Sequence, residues 1–172
     1  MIESNNYKGI LKAGDIFCIP LFIDPKEKAT KSYARVKYPE DEQYTFGRFI
    51  EDRAGGGVLI EVFSKTSKLN NFSPKELISS GRLFPPVTTS GLEFTKKRWR
   101  VVYSDDSYDK INDSHYKEIN LVLGTYDDLR VKNLYTNKES EVSEKEAEKY
   151  EPWKIWQPNQ LEKRIIKELS VK

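Results

Sequence analysis

Two short apolar runs constrain this chain more than anything else in it. Gly14-Asp15 opens the first, Ile16-Phe17-Cys18-Ile19-Pro20-Leu21, and Thr45-Phe46-Gly47-Arg48-Phe49-Ile50 answers it downstream. Each is too short for a core helix, is rich in aromatic and β-branched residues, and is bounded by turn-forming residues, so both read as strands. Pro20 has no N–H to give a ladder, which marks a sheet edge or a strand end. The 10 Tyr, 8 Phe and 3 Trp, against a single Met, favour a sheet over a helix bundle.

The rest of the chain continues in the same grammar. Residues 24–30 form a charged, proline-containing loop. Residues 32–38 alternate Tyr33, Arg35 and Lys37 against Ala34, Val36 and Tyr38, which predicts a strand. Gly55-Gly56-Gly57 reads as a hairpin tip, followed by a returning strand over 58–64. Ser73-Pro74-Lys75-Glu76 has a cap, a first-turn proline and a glutamate three residues after the cap, so a short helix is predicted there, ended by Gly81. Residues 92–103 predict a long strand, 104–114 a polar loop, and 116–123 and 129–135 two further strands. Ser143 repeats the capping pattern. After Gln157-Pro158, Leu161, Ile165 and Leu169 line one face of a last helix whose Glu162, Lys163, Lys167 and Glu168 fall elsewhere.

A chain of 172 residues fits one domain spanning 1–172, with a subdivision near 65–72 as the alternative. Such a length buries roughly 70% of its unfolded surface, enough for a core without staples. The expected fold is α+β: a twisted, partly barrel-like antiparallel sheet with two or three peripheral helices. The net charge of +2, from 29 basic and 27 acidic residues, argues against a dedicated nucleic-acid binder. A lone cysteine makes no internal disulfide, and no apolar run approaches the roughly 20 residues that span a bilayer. A cytoplasmic protein with no membrane partner is the expectation.

The chemistry-bearing residues are sparse, and no catalytic set, cofactor motif or metal cluster is expected. The triple glycine lacks the Lys-Ser/Thr of a phosphate loop. His115, the one histidine, sits among polar neighbours and reads as an exposed loop end, while Cys18 in an apolar strand reads as a small buried hydrophobe. Asp105, Asp106 and Asp109 lack the glycine and terminal glutamate of a calcium loop and read as solvated turn carboxylates; such acidic loops also suit a basic partner. In Lys96-Lys97-Arg98-Trp99-Arg100 the alternation predicts Trp99 and Val101 inward, with Arg98 and Arg100 outward. A nucleic-acid-binding strand over 94–103 is the alternative reading of that segment. Trp153 and Trp156 pin the last helix or serve as an exposed anchor.

The segments Gly14-Asp15-Ile16-Phe17-Cys18-Ile19-Pro20-Leu21 and Phe46-Gly47-Arg48 resemble the opening motifs of the immunity protein 26 family of bacterial polymorphic toxin systems. The likeness covers about the first third of the chain, and its motifs are structural rather than catalytic. It implies a non-enzymatic antidote that binds and neutralises a cognate protein toxin one to one. The expected partner surface is Arg98, Arg100, Tyr103, Asp105, Asp106 and Asp109. Charge reversal at Asp105 and Asp106 is expected to weaken binding more than reversal at Glu162 on the final helix.

Overall fold

The computed structural model describes residues 6–25 and 32–171. Strand β1 (Asn6–Tyr7) and β2 (Leu11–Lys12) form a small hairpin. There follow β3 (Ile16–Pro20), β4 (Gln43–Asp52), β5 (Val58–Val62), β6 (Ser67–Lys68), β7 (Val87–Thr89) and β8 (Arg100–Tyr103). The later strands are β9 (Asn120–Leu123), β10 (Arg130–Asn133), β11 (Glu139–Glu141), β12 (Glu151–Pro152) and β13 (Ile155–Trp156). The main sheet runs β13-β7-β5-β4-β3-β8, with β6 added beside β4, and a second sheet runs β11-β10-β9-β12. Pairing is antiparallel except at β7/β13 and β9/β12. The main sheet stays open, with β13 and β8 as its outer strands, so it does not close into a barrel.

The two opening runs are β3 and β4, paired from Ile16↔Arg48 to Pro20↔Tyr44, with Pro20 ending its strand. Gly47 lies opposite Phe17 because any side chain there would collide with it: an added Cβ would stand 2.5 Å from the Phe17 ring and 2.7 Å from the Glu61 carbonyl. Alternation then gives each face its own cover. Phe17, Ile19, Phe49, Val58, Ile60 and Val62 pack against Phe94, Trp99, Leu161 and Ile165. Trp99 stacks on Phe17 at 5.5 Å, with Phe94 edge-on to both rings. On the other face, Ile16, Cys18, Tyr44, Phe46 and Phe63 meet Leu77, while Ile50 and Leu59 meet Tyr116, Ile119 and Leu121 from the direction of the second sheet. A bulge between Phe49 and Glu51 lets Ile50 reach that second cluster.

Among the described residues there are five helices rather than two or three: α1 (Pro74–Ser79), α2 (Leu92–Thr95), α3 (Lys110–Asp113), α4 (Glu144–Ala147) and α5 (Pro158–Ser170). Three of them are single turns. The caps foreseen at Ser73 and Ser143 are made, each hydroxyl accepting from the N–H of the residue three on. The strand expected over 92–103 is instead α2, a turn with Lys97 at φ +60°, and only then β8. The strand expected from Tyr116 begins as a 3₁₀ turn over Tyr116–Glu118.

The strand expected over 32–38 is absent. The Tyr33 and Val36 carbonyls accept hydrogen bonds from the Arg100 guanidinium, at 2.7 and 2.8 Å, rather than from a neighbouring strand. Val36 N–H closes a turn onto Tyr33, and the Arg100 guanidinium stacks over the Tyr38 ring. The charged loop over 24–30 lies largely outside the described residues.

The last helix departs from expectation at one position. Glu162, placed by its spacing away from the packed face, is buried. Its carboxylate takes two hydrogen bonds from the Arg98 guanidinium, at 2.6 and 2.7 Å, and one from the Trp99 indole at 2.8 Å. Arg98 is therefore inside the protein, not on its surface, and Val101 is 37% exposed, reversing the expected sidedness of both. This bidentate clamp ties α5 to the start of β8.

A second buried acid lies close by. Glu93 on α2 accepts a hydrogen bond from Thr89 at one oxygen, while its other oxygen has no partner among the described residues. Burial, helped by the Glu162 charge, pushes its carboxyl from an ordinary 4.5 up to about 7. The unfolded chain ionises this group first, so its contribution to stability is complete below about 4.5 and is lost as pH rises towards 7. The loss is about 3 kcal/mol, taking 1.36 kcal/mol for each unit of that shift. Urea denaturation of Glu93→Gln should show a shallower fall in stability between pH 5 and pH 8 than the wild type; parallel slopes would contradict it.

Candidate functional site

The segment 104–115 joins β8 to the second sheet, and local hydrogen bonds shape it. The Asp105 carboxylate accepts from the Ser107 N–H at 2.9 Å and the Ser107 hydroxyl at 2.7 Å, which holds its carboxyl below the usual range. Asp109 caps α3, accepting from the Ile111 N–H at 3.0 Å. Asp106 faces solvent: its side chain is 86% exposed and, among the described residues, meets the exposed Lys12. Tyr108 turns inward over Gly14, where an added Cβ would stand 2.5 Å from the Tyr108 Cβ. That contact explains the glycine that opens the first apolar run.

Beneath this segment the second face of the sheet carries charge instead of apolar side chains. Arg48 and Glu61 face each other across β4 and β5, and both are almost wholly buried. Arg48 Nε donates to one Glu61 oxygen at 2.7 Å, and Arg82 Nε donates to the other at 2.7 Å. The arginines then reach up to the segment: Arg48 Nη2 donates to the Asp113 carbonyl at 2.6 Å, and Arg82 Nη2 donates to the Ser114 carbonyl. The Ser114 hydroxyl donates to Glu61 at 2.7 Å and meets the Tyr108 hydroxyl at 2.8 Å. The Arg48 guanidinium lies between the rings of Tyr108 and Phe63, 5.0 and 5.6 Å from their centroids. A second carboxylate, Glu51, holds the far end through Lys110 at 3.0 Å and the Tyr116 hydroxyl at 2.6 Å.

These contacts leave a cleft of 290 Å³ beside α1, bounded by Arg48, Arg82, Phe63, Ile78 and His115. His115 stands exposed at its rim, in a left-handed conformation with φ +46°.

The residues singled out in the sequence divide accordingly. Tyr103, Asp105, Asp106 and Asp109 lie on one continuous stretch running from the outer strand β8 into the segment. Tyr103 is 42% exposed, and Val101 joins it on that edge. Arg100 is half-buried against Tyr38, and Arg98 belongs to the interior clamp. A nucleic-acid strand over 94–103 would need its aromatic rings on the surface, yet Phe94 and Trp99 are in the core. Cys18 is buried, and its thiol is pushed up to about 11 by burial, which leaves it unreactive. Trp153 is partly exposed between Arg53 and Lys132, while Trp156 packs against the core.

The charged network itself was not foreseen. Its signal is present in the sequence: one charged residue interrupts each of two adjoining apolar strands, Arg48 in the first and Glu61 in the second, with opposite signs. Among the described residues no group of three or more His, Cys, Asp or Glu is placed to hold a metal ion. No described helix is long and apolar enough to cross a membrane.

The model of the immunity protein 26 family matches residues 12–129, well over half of the chain. The chain belongs to that family. The match runs from the first hairpin past the whole of segment 104–115 and its charged support. No curated protein and no solved structure matches the chain.

The network gives a direct test of what holds the segment. Glu61→Gln leaves two guanidinium groups without their shared carboxylate and should cost about 3–5 kcal/mol in urea denaturation. Backbone N–H exchange at Ser114 and Tyr116 should quicken with it. Loss of less than about 1 kcal/mol, the range of a surface pair, would show that the network is not the anchor.

Proposed function

We propose that this member of the immunity protein 26 family is a non-enzymatic antidote that binds a cognate bacterial toxin one to one in the cytoplasm, with residues 1–172 acting as one domain. Family membership carries this reading. The layout of the site supports it. The polar side chains of segment 104–115 are engaged in shaping a surface and pinning it to the sheet, which is what rigid protein recognition requires. A preformed surface loses little freedom on binding, so more of its contact energy is realised as affinity.

The surface proposed for the toxin is the exposed edge at Val101 and Tyr103, the acidic turn at Asp106 and the outer side of α3. Tyr103 supplies an aromatic contact of the kind enriched in binding hot spots. Asp106 supplies an unburied negative charge that would speed the approach of a basic toxin face. Arg98 is not part of this surface, because its guanidinium is committed to Glu162. Asp105 and Asp109 shape it from within.

The test is growth rescue by this protein in cells expressing the toxin domain encoded beside its gene, together with co-purification of the pair. Asp106→Lys should weaken the complex about tenfold, roughly 1.4 kcal/mol, and make its association less dependent on salt. Glu148→Lys, an exposed position on the turn after α4, serves as the control and should change affinity little. Glu162 cannot serve, since reversing its charge would break the core. Equal effects at Asp106 and Glu148 would remove the acidic turn from the interface. A lack of both rescue and complex would reject the antidote reading.

A further inference from the structure

The cleft beside α1 presents two guanidinium groups whose donors its own carboxylates, Glu61 and Asp113, do not fully occupy. Glu61 is shared between two arginines: it accepts from Arg48 Nε, Arg82 Nε and the Ser114 hydroxyl, each at 2.7 Å, and Arg48 Nη2 also stands 2.7 Å from its Oε1. Both Nη2 groups are committed to the carbonyls of Asp113 and Ser114. The Nη1 groups of Arg48 and Arg82 have no acceptor among the described residues. Asp113 also lines the cleft; its carboxylate is at the exposed rim and accepts the Asp109 N–H at 2.7 Å. Two guanidinium edges therefore remain without an acceptor in a recess walled by Phe63 and Ile78, where low local dielectric strengthens their pull on an anion.

The geometry points to a carboxylate-binding site, in which one acidic side chain of the protein partner enters the cleft and meets the free Nη1 groups of Arg48 and Arg82. A planar carboxylate matches the fork of a guanidinium. The volume of 290 Å³ lies at the lower end of small-molecule pockets, roughly 300–1,000 Å³, and suits one side chain rather than a helix or strand. The cleft adjoins segment 104–115, so a toxin seated there would present a basic group to Asp106 and an acidic group to the cleft. Only this last assignment, the source of the carboxylate, rests on the antidote reading.

The single histidine of the chain is a built-in reporter, since His115 stands at the cleft rim. Its ring signals would be followed by NMR at neutral pH while acetate replaces chloride at constant ionic strength. The expected result is a saturable shift in the wild type, weakened about tenfold or more in Arg82→Gln. The shift should be abolished in Ile78→Trp, which fills the cleft from its exposed rim without removing any charge. A linear drift, or one equally present in Ile78→Trp, would overturn the site, and this second variant decides the matter if Arg82→Gln fails to fold. In the purified complex with the neighbouring toxin domain, acetate should no longer shift His115; saturable binding that persists there would overturn the partner as the source. Rescue of growth without any saturable acetate shift would reject this site and leave the antidote reading standing. Acetate binding without rescue would do the reverse.

Discussion

One buried carboxylate shared by two arginines holds segment 104–115 on the sheet. A β-sheet face can be covered by apolar side chains, as the other face is, but apolar packing alone would not hold an irregular segment such as 104–115 in one conformation. The backbone carbonyls at Asp113 and Ser114 need donors once they leave water. Arg48 and Arg82 provide them, and Glu61 makes their burial tolerable. Breaking one member strands the others, so the segment, α3 and the cleft stand or fall together. The same logic recurs on the opposite face, where Arg98, Glu162 and Trp99 join α5 to the sheet. Each face thus places its charged pair where a loop or helix must be fixed in register.

Parts of this were legible in the chain of residues. Short apolar runs with turn signals between them located β3, β4 and β5, because alternation and turn chemistry are local properties. Capping residues located α1 and α4, and Pro158 in the first turn located the start of α5, for the same reason. Segments whose conformation is set by a distant partner were not legible. Residues 32–38 alternate like a strand, yet the guanidinium of Arg100 takes their carbonyls. Residues 92–95 carry aromatic character but coil into a turn of helix that buries Phe94. Glu162 sits on a helix whose apolar stripe ignores it, and only the position of Arg98 makes it part of the core.

The candidate site was half legible. Tyr103 and the aspartates group together in the sequence because they are neighbours there, and they lie on one continuous stretch from β8 into segment 104–115. Their separate roles were not visible: Asp105 and Asp109 spend their oxygens on local N–H groups, and Asp106 makes no such local bond among the described residues. Arg48, Glu61 and Arg82 come from three separate strands and loops, so no spacing rule unites them. A charge in the middle of an apolar strand is the one clue such a network leaves. Here two such charges of opposite sign lie directly across from each other.

The central claim is that segment 104–115, held rigid on its charged support, is the face presented to the toxin. Hydrogen–deuterium exchange of the protein alone and in complex with whichever toxin domain it is found to neutralise tests it most directly. The account predicts new protection over β8 and 104–115, with little change in β10 and β11 of the second sheet. Protection confined to β9–β11 and α4, with 104–115 unchanged, would contradict it.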